Sequence, residues 1–523
     1  MPADPVLVVG GGHNGLVAAC YLARAGVPVV VLEAADTVGG GSRTDETVPG
    51  HRFNTHAAAH NLINMTRIPA ELDLAGAGLE YLPMDPFATG VFPDGRIVRF
   101  RRSIDDTVAG IAEHSPADAR AYAAFMHRAV PLVKAAVSGL DSGLGPAGAV
   151  RAAGATVLAL LQGVRRAGGP VALAADLLTP YGSLLATALP SELTRAPVAS
   201  FASHSSAGPH TPGGSFYVLW QAAYHLYGQW HPRGGSQALA DALVRRLVGW
   251  GGEVRTGAVV ERIRTAHGRA TGVVLQDGTA LDAAAVVTAV DVQTALLDLL
   301  DPALGGPDGA TLAAAHRGNA VQLVVHLATD RLPPYPGARP GDWDGLQSHV
   351  GTVDALRQGF LAAEARRLPD PPPTYCFTPS VYDDSLAPPG RHTVYLACPS
   401  APYDLDGGWP DRAQEFADAM VEQVEHVAPG FRASITGRHV RTPTAAAQEL
   451  RWPGAHPMHL DVSLDQLAFL RPTRRLSGHS VPGVAGLFTC GASTGPVGGI
   501  AGSSGKAAAL ALLRSSAASR RRP

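Results

Sequence analysis

The spacing Gly10-x-Gly12-x-x-Gly15, followed 18 residues later (33 − 15) by Glu33, is the first constellation with chemistry in this 523-residue chain. Glycine at its first position permits a tight turn, and at its second lets the backbone approach a pyrophosphate. At its third it lets a helix pack closely on a strand. A helix starting there offers free N–H groups and the positive end of its dipole to phosphates. A carboxylate at Glu33 suits the hydroxyls of a ribose. Together these residues point to a bound dinucleotide.

Other residues invite chemistry and carry less. His56 and His60 are four apart, and His456 and His459 precede Asp461. Two histidines at that spacing need a further ligand before a metal site is implied, so no metal is expected. Their alternatives are core packing and acid–base work beside a substrate. Gly491-Ala492-Ser493-Thr494-Gly495 fits the nucleophile-elbow pattern, but that elbow needs a helix directly after it, and Pro496 and Gly498-Gly499 intervene. Gly143–Gly148 also fits G-x-G-x-x-G. No strand precedes it and Pro146 sits inside, so it reads as a loop. With it goes the best candidate for a second dinucleotide site. The cysteines, Cys20, Cys376, Cys398 and Cys490, are scattered and form no zinc or disulfide pattern, which suits a reducing cytoplasm.

The elements that must position these residues are legible. Val6–Val9 is a short apolar run, expected as a buried parallel strand. A helix follows from about Leu16 to Ala25, stopped by Gly26, and Val27–Leu32 is a second buried strand ending at Glu33. The first dinucleotide motif therefore sits in a strand–turn–helix–strand unit. Residues 106 to 229 are rich in Ala and Leu with helical patterns such as Pro116–Val130. Near Trp230 a turn leads into a helix over Ser236–Val248, then strands around Glu253–Arg255, Ala258–Ile263, Gly272–Leu275 and Ala285–Thr288. Residues 301 to 454 look mixed, with strands at Val321–Leu327 and Thr393–Cys398 and a helix at Arg412–Val427. The end returns to strand Gly486–Cys490, a glycine loop and a helix over Ser503–Leu513.

Charged residues make up 16% and hydrophobic residues 46%, so much surface is buried or an apolar cavity is present. The net charge of −2 gives no basic field for nucleic acid. The terminal Arg514 and Arg520-Arg521-Arg522 read first as a solvated tail and second as a contact with a membrane surface. No uninterrupted apolar run is long enough to span a bilayer, and no secretory signal pattern opens the chain. A cytoplasmic location, with peripheral membrane contact as its variant, is the expectation.

Several segments together resemble the FAD-dependent phytoene desaturase-like oxidoreductases. Val8–Ala19, with its His13-Asn14 pair, is similar to that family's opening, and Val38-Gly39-Gly40-Gly41-Ser42-Arg43-Thr44 to its second glycine turn. Pro232–Gly235, Gly251–Val254 with Val259-Val260, Asp461–Leu467 and Leu487–Gly502 follow in the family's order. The resemblance implies FAD as cofactor, held by Gly10, Gly12, His13, Asn14, Gly15, Glu33, Gly40, Arg43, Thr44, Val259, Gly491, Gly499 and Ile500. It implies an α/β fold in which a Rossmann-type FAD-binding domain (1–105, 230–300 and 455–523) is interleaved with a mixed α+β substrate domain (106–229 and 301–454). The segment Phe53–Asn64 departs from the family: polar His56, His60, Asn61 and Asn64 stand where apolar and small residues are expected.

The implied activity is dehydrogenation of an apolar small molecule, polyene-like or a carrier-tethered acyl chain, by hydride loss to the flavin. Oxygen, a quinone or another acceptor would reoxidise it, and His56 or His60 is the expected proton acceptor. Two alternatives stay open: a flavin-dependent isomerase without net redox turnover, and a flavin-free binding protein of the Rab GDP-dissociation-inhibitor type.

Overall fold

Val6–Val9 and Val29–Leu32 are unbroken runs of valine and leucine, buried along their whole length. Such runs need cover on both faces, and a parallel sheet under helices supplies it. The computed structural model of the chain describes residues 4–141, 146–466, 470–496 and 498–520. In it these two strands sit at the centre of a parallel sheet ordered Leu487–Thr489, Ala285–Thr288, Val6–Val9, Val29–Leu32, Glu253–Arg255. The register is continuous, with Val8 opposite both Val31 and Val287.

The first helix, His13–Arg24, starts three residues earlier than its apolar pattern suggests, because the glycine turn itself becomes its first turn. It ends at Gly26, whose φ of +77° is left-handed and is adopted without a Cβ penalty. It packs beside the helices Gln237–Gly249 and Ser503–Arg520, and Leu16, Val17, Leu22, Leu239, Leu243 and Ala508 belong to one buried cluster. Segments hundreds of residues apart thus converge on the first strand, and an antiparallel ribbon of Val260–Ala266, Arg269–Leu275 and Ala280–Asp282 extends this unit.

A second sheet of seven strands runs Ile435–Arg441, Ala320–Thr329, His392–Pro402, Tyr375–Phe377, Leu346–Ser348, Ala88–Val91, Ile97–Phe100. Its last two strands correct the expected boundary at 105. Ala88–Gly90 pairs with Leu346–Ser348, so this part of 1–105 belongs to the second sheet. Hydrophobic alternation marks such a strand; only pairing says which sheet it joins. The helices Pro116–Asp141 and Glu192–Ala202 pack with this sheet, around Phe87, Phe100, Tyr122 and Phe201.

Of the Gly143–Gly148 set, residues 143–145 lie outside the described residues, and Pro146–Gly148 open the helix Pro146–Ala167 rather than a loop. Leu467, Arg521 and Arg522 also lie outside them. Among the described residues no helix is long and apolar enough to cross a membrane. Val157, Leu158 and Leu161 nevertheless point into solvent from that helix, as do Val171 and Leu178 from the next, Pro170–Leu178.

Candidate FAD and substrate site

The first glycine turn is built as the sequence demands. Gly10 has φ +103°, and a Cβ on Gly15 would lie 2.1 Å from the Gly10 carbonyl oxygen and 2.9 Å from Ala289 Cβ, so only glycine lets helix and strand meet. A Cβ on Gly12 would meet nothing within 4 Å; it would project into open space over the sheet. No side chain caps the helix starting at His13, so its first-turn N–H groups face that space. The second glycine turn closes against the first, with Gly39 N donating to Gly11 O at 2.9 Å.

Glu33 ends the second strand and accepts from Gly11 N (2.7 Å) and Ala35 N (2.8 Å), one bond to each carboxylate oxygen. Each oxygen keeps a lone pair for a ribose hydroxyl. Leu32, Glu33, Ala258 and Val259 line the adjoining end of one cavity of about 1030 Å³. That volume lies at the upper end for small-molecule sites, and an elongated dinucleotide needs it. Gly10, Gly12, His13, Asn14, Gly40, Arg43, Gly491, Gly499 and Ile500 line the same cavity. The chain therefore fits FAD on three counts: an uncapped helix end, a glycine with room for a phosphate, and a carboxylate with spare acceptor capacity.

His13 and Asn14 tie the two ends of the chain together. His13 Nε2 lies 3.0 Å from Gly499 O and 2.9 Å from Asn14 Nδ2, and Gly505 N donates to Asn14 Oδ1 at 3.4 Å. Burial holds the His13 imidazole down at about 4, so it is neutral. Thr44 does not line the cavity. Its hydroxyl donates to Asn54 Oδ1 (2.8 Å) and accepts from Gln237 N (3.1 Å), pinning the helix Gln237–Gly249. Gly15 is likewise a packing residue, away from the cavity wall. Arg43 reaches the cavity, paired with Asp45 at 2.8 Å and Glu449 at 3.3 Å.

The two histidines expected to handle a proton part company. His56 lines the cavity, edge-on to Trp452 at 5.3 Å, and its Nε2 is buried without a hydrogen-bond partner in the protein. Burial, then Arg441 and Arg43, lower its pKa to about 3. His60 is fully buried behind the wall, its Nδ1 3.2 Å from the Tyr81 hydroxyl and its Nε2 3.0 Å from Ser236 Oγ. Both His60 nitrogens are thus engaged, and His60 is not among the residues that line the cavity. Asn64 donates to His60 O and Asn61 accepts from Trp230 N, so much of the polar character of this stretch holds its own loop. Ser493 is buried, accepts from Val292 N at 3.0 Å and does not line the cavity.

Part of the cavity wall is aromatic. Phe201 and Tyr224 meet edge to face at 4.4 Å, and the His204 ring lies 4.2 Å from Tyr375. Tyr375 and Phe377 are two apart on one strand and share a face, with Tyr395 beside them on the neighbouring strand. His204 Nε2 is a second buried imidazole nitrogen without a hydrogen-bond partner on this wall. Burial lowers its pKa to about 4. None of these six residues was singled out by sequence. The Tyr-x-Phe alternation marks a strand face, but which face looks on the cavity is set by the sheet.

Comparison with known proteins agrees with this geometry. Residues 188–513 match the model for flavin containing amine oxidoreductases, and residues 8–70 match an NAD(P)-binding Rossmann-like domain. The mouse pyridine nucleotide-disulfide oxidoreductase domain-containing protein 2 is 32% identical across 98% of this chain and 94% of its own length. A lycopene-forming phytoene desaturase from Paracoccus sp. is 27% identical across 98% of this chain and 97% of its own. Among solved structures, cyclohexylamine oxidase from Brevibacterium oxydans superposes with a TM-score of 0.60 at 17% identity. The match covers 99% of this chain and 100% of the oxidase, and it speaks for the fold.

Proposed function

We propose that this chain, which belongs to the flavin containing amine oxidoreductase family and is an FAD-dependent oxidoreductase, dehydrogenates an apolar, unsaturated substrate such as a polyene or an acyl chain. The observation that carries this reading is the wall of Phe201, Tyr224, Tyr375, Phe377 and Tyr395. Aromatic faces match a flat conjugated chain. The full-length similarity to a phytoene desaturase supports the same substrate class.

Bound FAD supplies a two-electron acceptor for the hydride that leaves one C–H bond. The residues do the rest. The aromatic wall orients the chain and excludes water, which fixes the C–H bond to be broken. A proton must leave the neighbouring carbon as the double bond forms. His56 and His204 are two buried, neutral imidazoles on the cavity wall that could take it, each with a free Nε2. Burial lowers the pKa to about 3 for His56 and about 4 for His204, so both rings stand unprotonated at neutral pH. Oxygen or a quinone is the terminal acceptor.

An apolar substrate partitions into lipid, and Val157, Leu158 and Leu161 extend the peripheral-contact expectation to the helix Pro146–Ala167. The exposed Arg165 and Arg166 at its end suit anionic headgroups.

The test is anaerobic. Purified holoenzyme is mixed with acyclic polyenes, unsaturated acyl chains or alkylamines. Loss of the yellow flavin absorbance with the first two classes, and its recovery on adding oxygen or quinone, is expected. Bleaching by amines alone refutes the substrate class, and isomerised product without bleaching refutes dehydrogenation.

A further inference from the structure

Asp291 and His459 face each other across a gap in the cavity wall. Asp291 is 2% exposed. Its Oδ1 accepts from Arg317 Nη2 at 2.6 Å and Thr294 N at 3.1 Å. Its Oδ2 is buried and has no hydrogen-bond partner in the protein, and the same is true of His459 Nδ1. These two atoms are 3.9 Å apart, beyond hydrogen-bond length. His459 holds a left-handed φ of +65°, a conformation an ordinary residue keeps only when its surroundings insist. Its ring is fixed against Trp452 at 5.3 Å, and its N–H donates to His456 O at 2.7 Å.

Leaving a buried acceptor and a buried ring nitrogen unsatisfied costs free energy, so a pair of them side by side marks a place for a ligand atom. A single oxygen that both donates and accepts satisfies both: it donates to Asp291 Oδ2 and accepts from His459 Nδ1–H. A hydroxyl has that character.

The location identifies whose hydroxyl it is. Asp291 directly follows Ala289 and Val290. A Cβ on Gly10 would lie 3.0 Å from Val290 Cγ1, and one on Gly491 would lie 3.4 Å from Ala289 O. Asp291 thus stands where the first and last glycine turns converge, one strand away from the first strand. Glu33 stands one strand away on the other side. With Glu33 taking the ribose and the uncapped helix taking the pyrophosphate, the remaining hydroxylated part of FAD is its ribityl chain. Arg317 offsets the Asp291 charge, so the carboxylate does not repel the neighbouring phosphates.

We propose that Asp291 and His459 form a clamp for a hydroxyl of the ribityl chain of bound FAD. The clamp rests on FAD binding and is independent of the substrate.

The test is a binding measurement on the full-length apoprotein. Quenching of flavin fluorescence gives the Kd for FAD and for FAD analogues in which one ribityl hydroxyl is replaced by hydrogen. Wild type is expected to lose about tenfold in affinity for the analogue missing the clamped hydroxyl, the ordinary worth of a charge-assisted bond. The Asp291→Ala/His459→Ala variant is expected to bind FAD and that analogue equally. Because the readout is a ratio within each protein, a general loss of stability cancels. Should the double variant fail to fold, Asp291→Asn, which keeps the side chain's shape, must reduce the same ratio. The proposal is overturned if the variants keep the wild-type preference for FAD over every analogue, the pattern expected where the gap binds only water or a substrate hydroxyl.

Discussion

Gly12→Ala and Gly15→Ala are chemically the same change three residues apart, and they should fail in opposite ways. At Gly15 the new Cβ would sit 2.1 Å from a backbone carbonyl oxygen and 2.9 Å from Ala289 Cβ. Neither can step aside without moving the first helix off the sheet, so the cost is that of severe overpacking, about 3 kcal/mol or more. At Gly12 the new Cβ meets no protein atom within 4 Å, and the backbone there (φ −67°, ψ 164°) is ordinary for alanine. Alanine is a poorer helix cap than glycine by roughly 0.5–1 kcal/mol, and it stiffens the unfolded chain by about the same amount. The net change in apoprotein stability should lie within about 0.5 kcal/mol of zero. The methyl instead occupies the space through which a pyrophosphate approaches. FAD affinity should fall at least about tenfold, or about 1.4 kcal/mol. Urea unfolding of both apoproteins, with FAD titration of each, reads the two effects separately. The reasoning fails if Gly12→Ala binds FAD like wild type, or if it destabilises the apoprotein as much as Gly15→Ala.

Exchanging the two candidate histidines separates wall from core. His60→Ala removes a buried ring and its hydrogen bonds to Tyr81 and Ser236, and should cost about 2 kcal/mol or more in urea unfolding, leaving the rate of flavin reduction in folded holoenzyme unchanged. His56→Ala should slow reduction, and with its pKa lowered to about 3 the wild-type rate should show no His56 step near pH 6.5 in stopped-flow traces. Acid stability should report the buried bond between His231 Nε2 and Asp383 Oδ2 at 2.9 Å. Burial acts to raise the Asp383 pKa, but hydrogen bonds from His231 and Ser385 prevail and hold it at about 2. A depressed carboxyl stabilises the fold above its unfolded value of 3.8, and that contribution is lost as pH falls toward 2. Asp383→Asn should flatten this part of the profile in denaturant titrations at successive pH values. Finally, Leu158→Asp with Leu161→Asp should reduce cosedimentation with vesicles containing anionic lipid, and raised salt should do the same to wild type; equal pelleting of variant and wild type rejects the lipid contact.

The dinucleotide half of this protein was legible because its determinants are local. Val6–Val9, the three glycines, the helix stop at Gly26 and Glu33 lie within 28 residues (33 − 6 + 1). Each position is dictated by backbone geometry, so the pattern states the chemistry before the chain folds. The returning strands Ala285–Thr288 and Leu487–Thr489 were also readable as buried runs. The rest depends on which face of an element meets which neighbour. Phe201, Tyr224, Tyr375 and Tyr395 come from four separate elements, and nothing in their spacing tells a cavity wall from a core. His56 and His60 look interchangeable in sequence; the pairing of Tyr81–Met84 with Gln229–Pro232 brings Tyr81 and its sheet to His60 and leaves His56 facing the cavity. Asp291 and His459 lie 168 residues apart (459 − 291), and only the convergence of the two glycine turns sets their unsatisfied atoms 3.9 Å from each other. Local conformational constraints can be read from one stretch of chain. Burial, partner and orientation are properties of contacts that the chain makes only once it is folded.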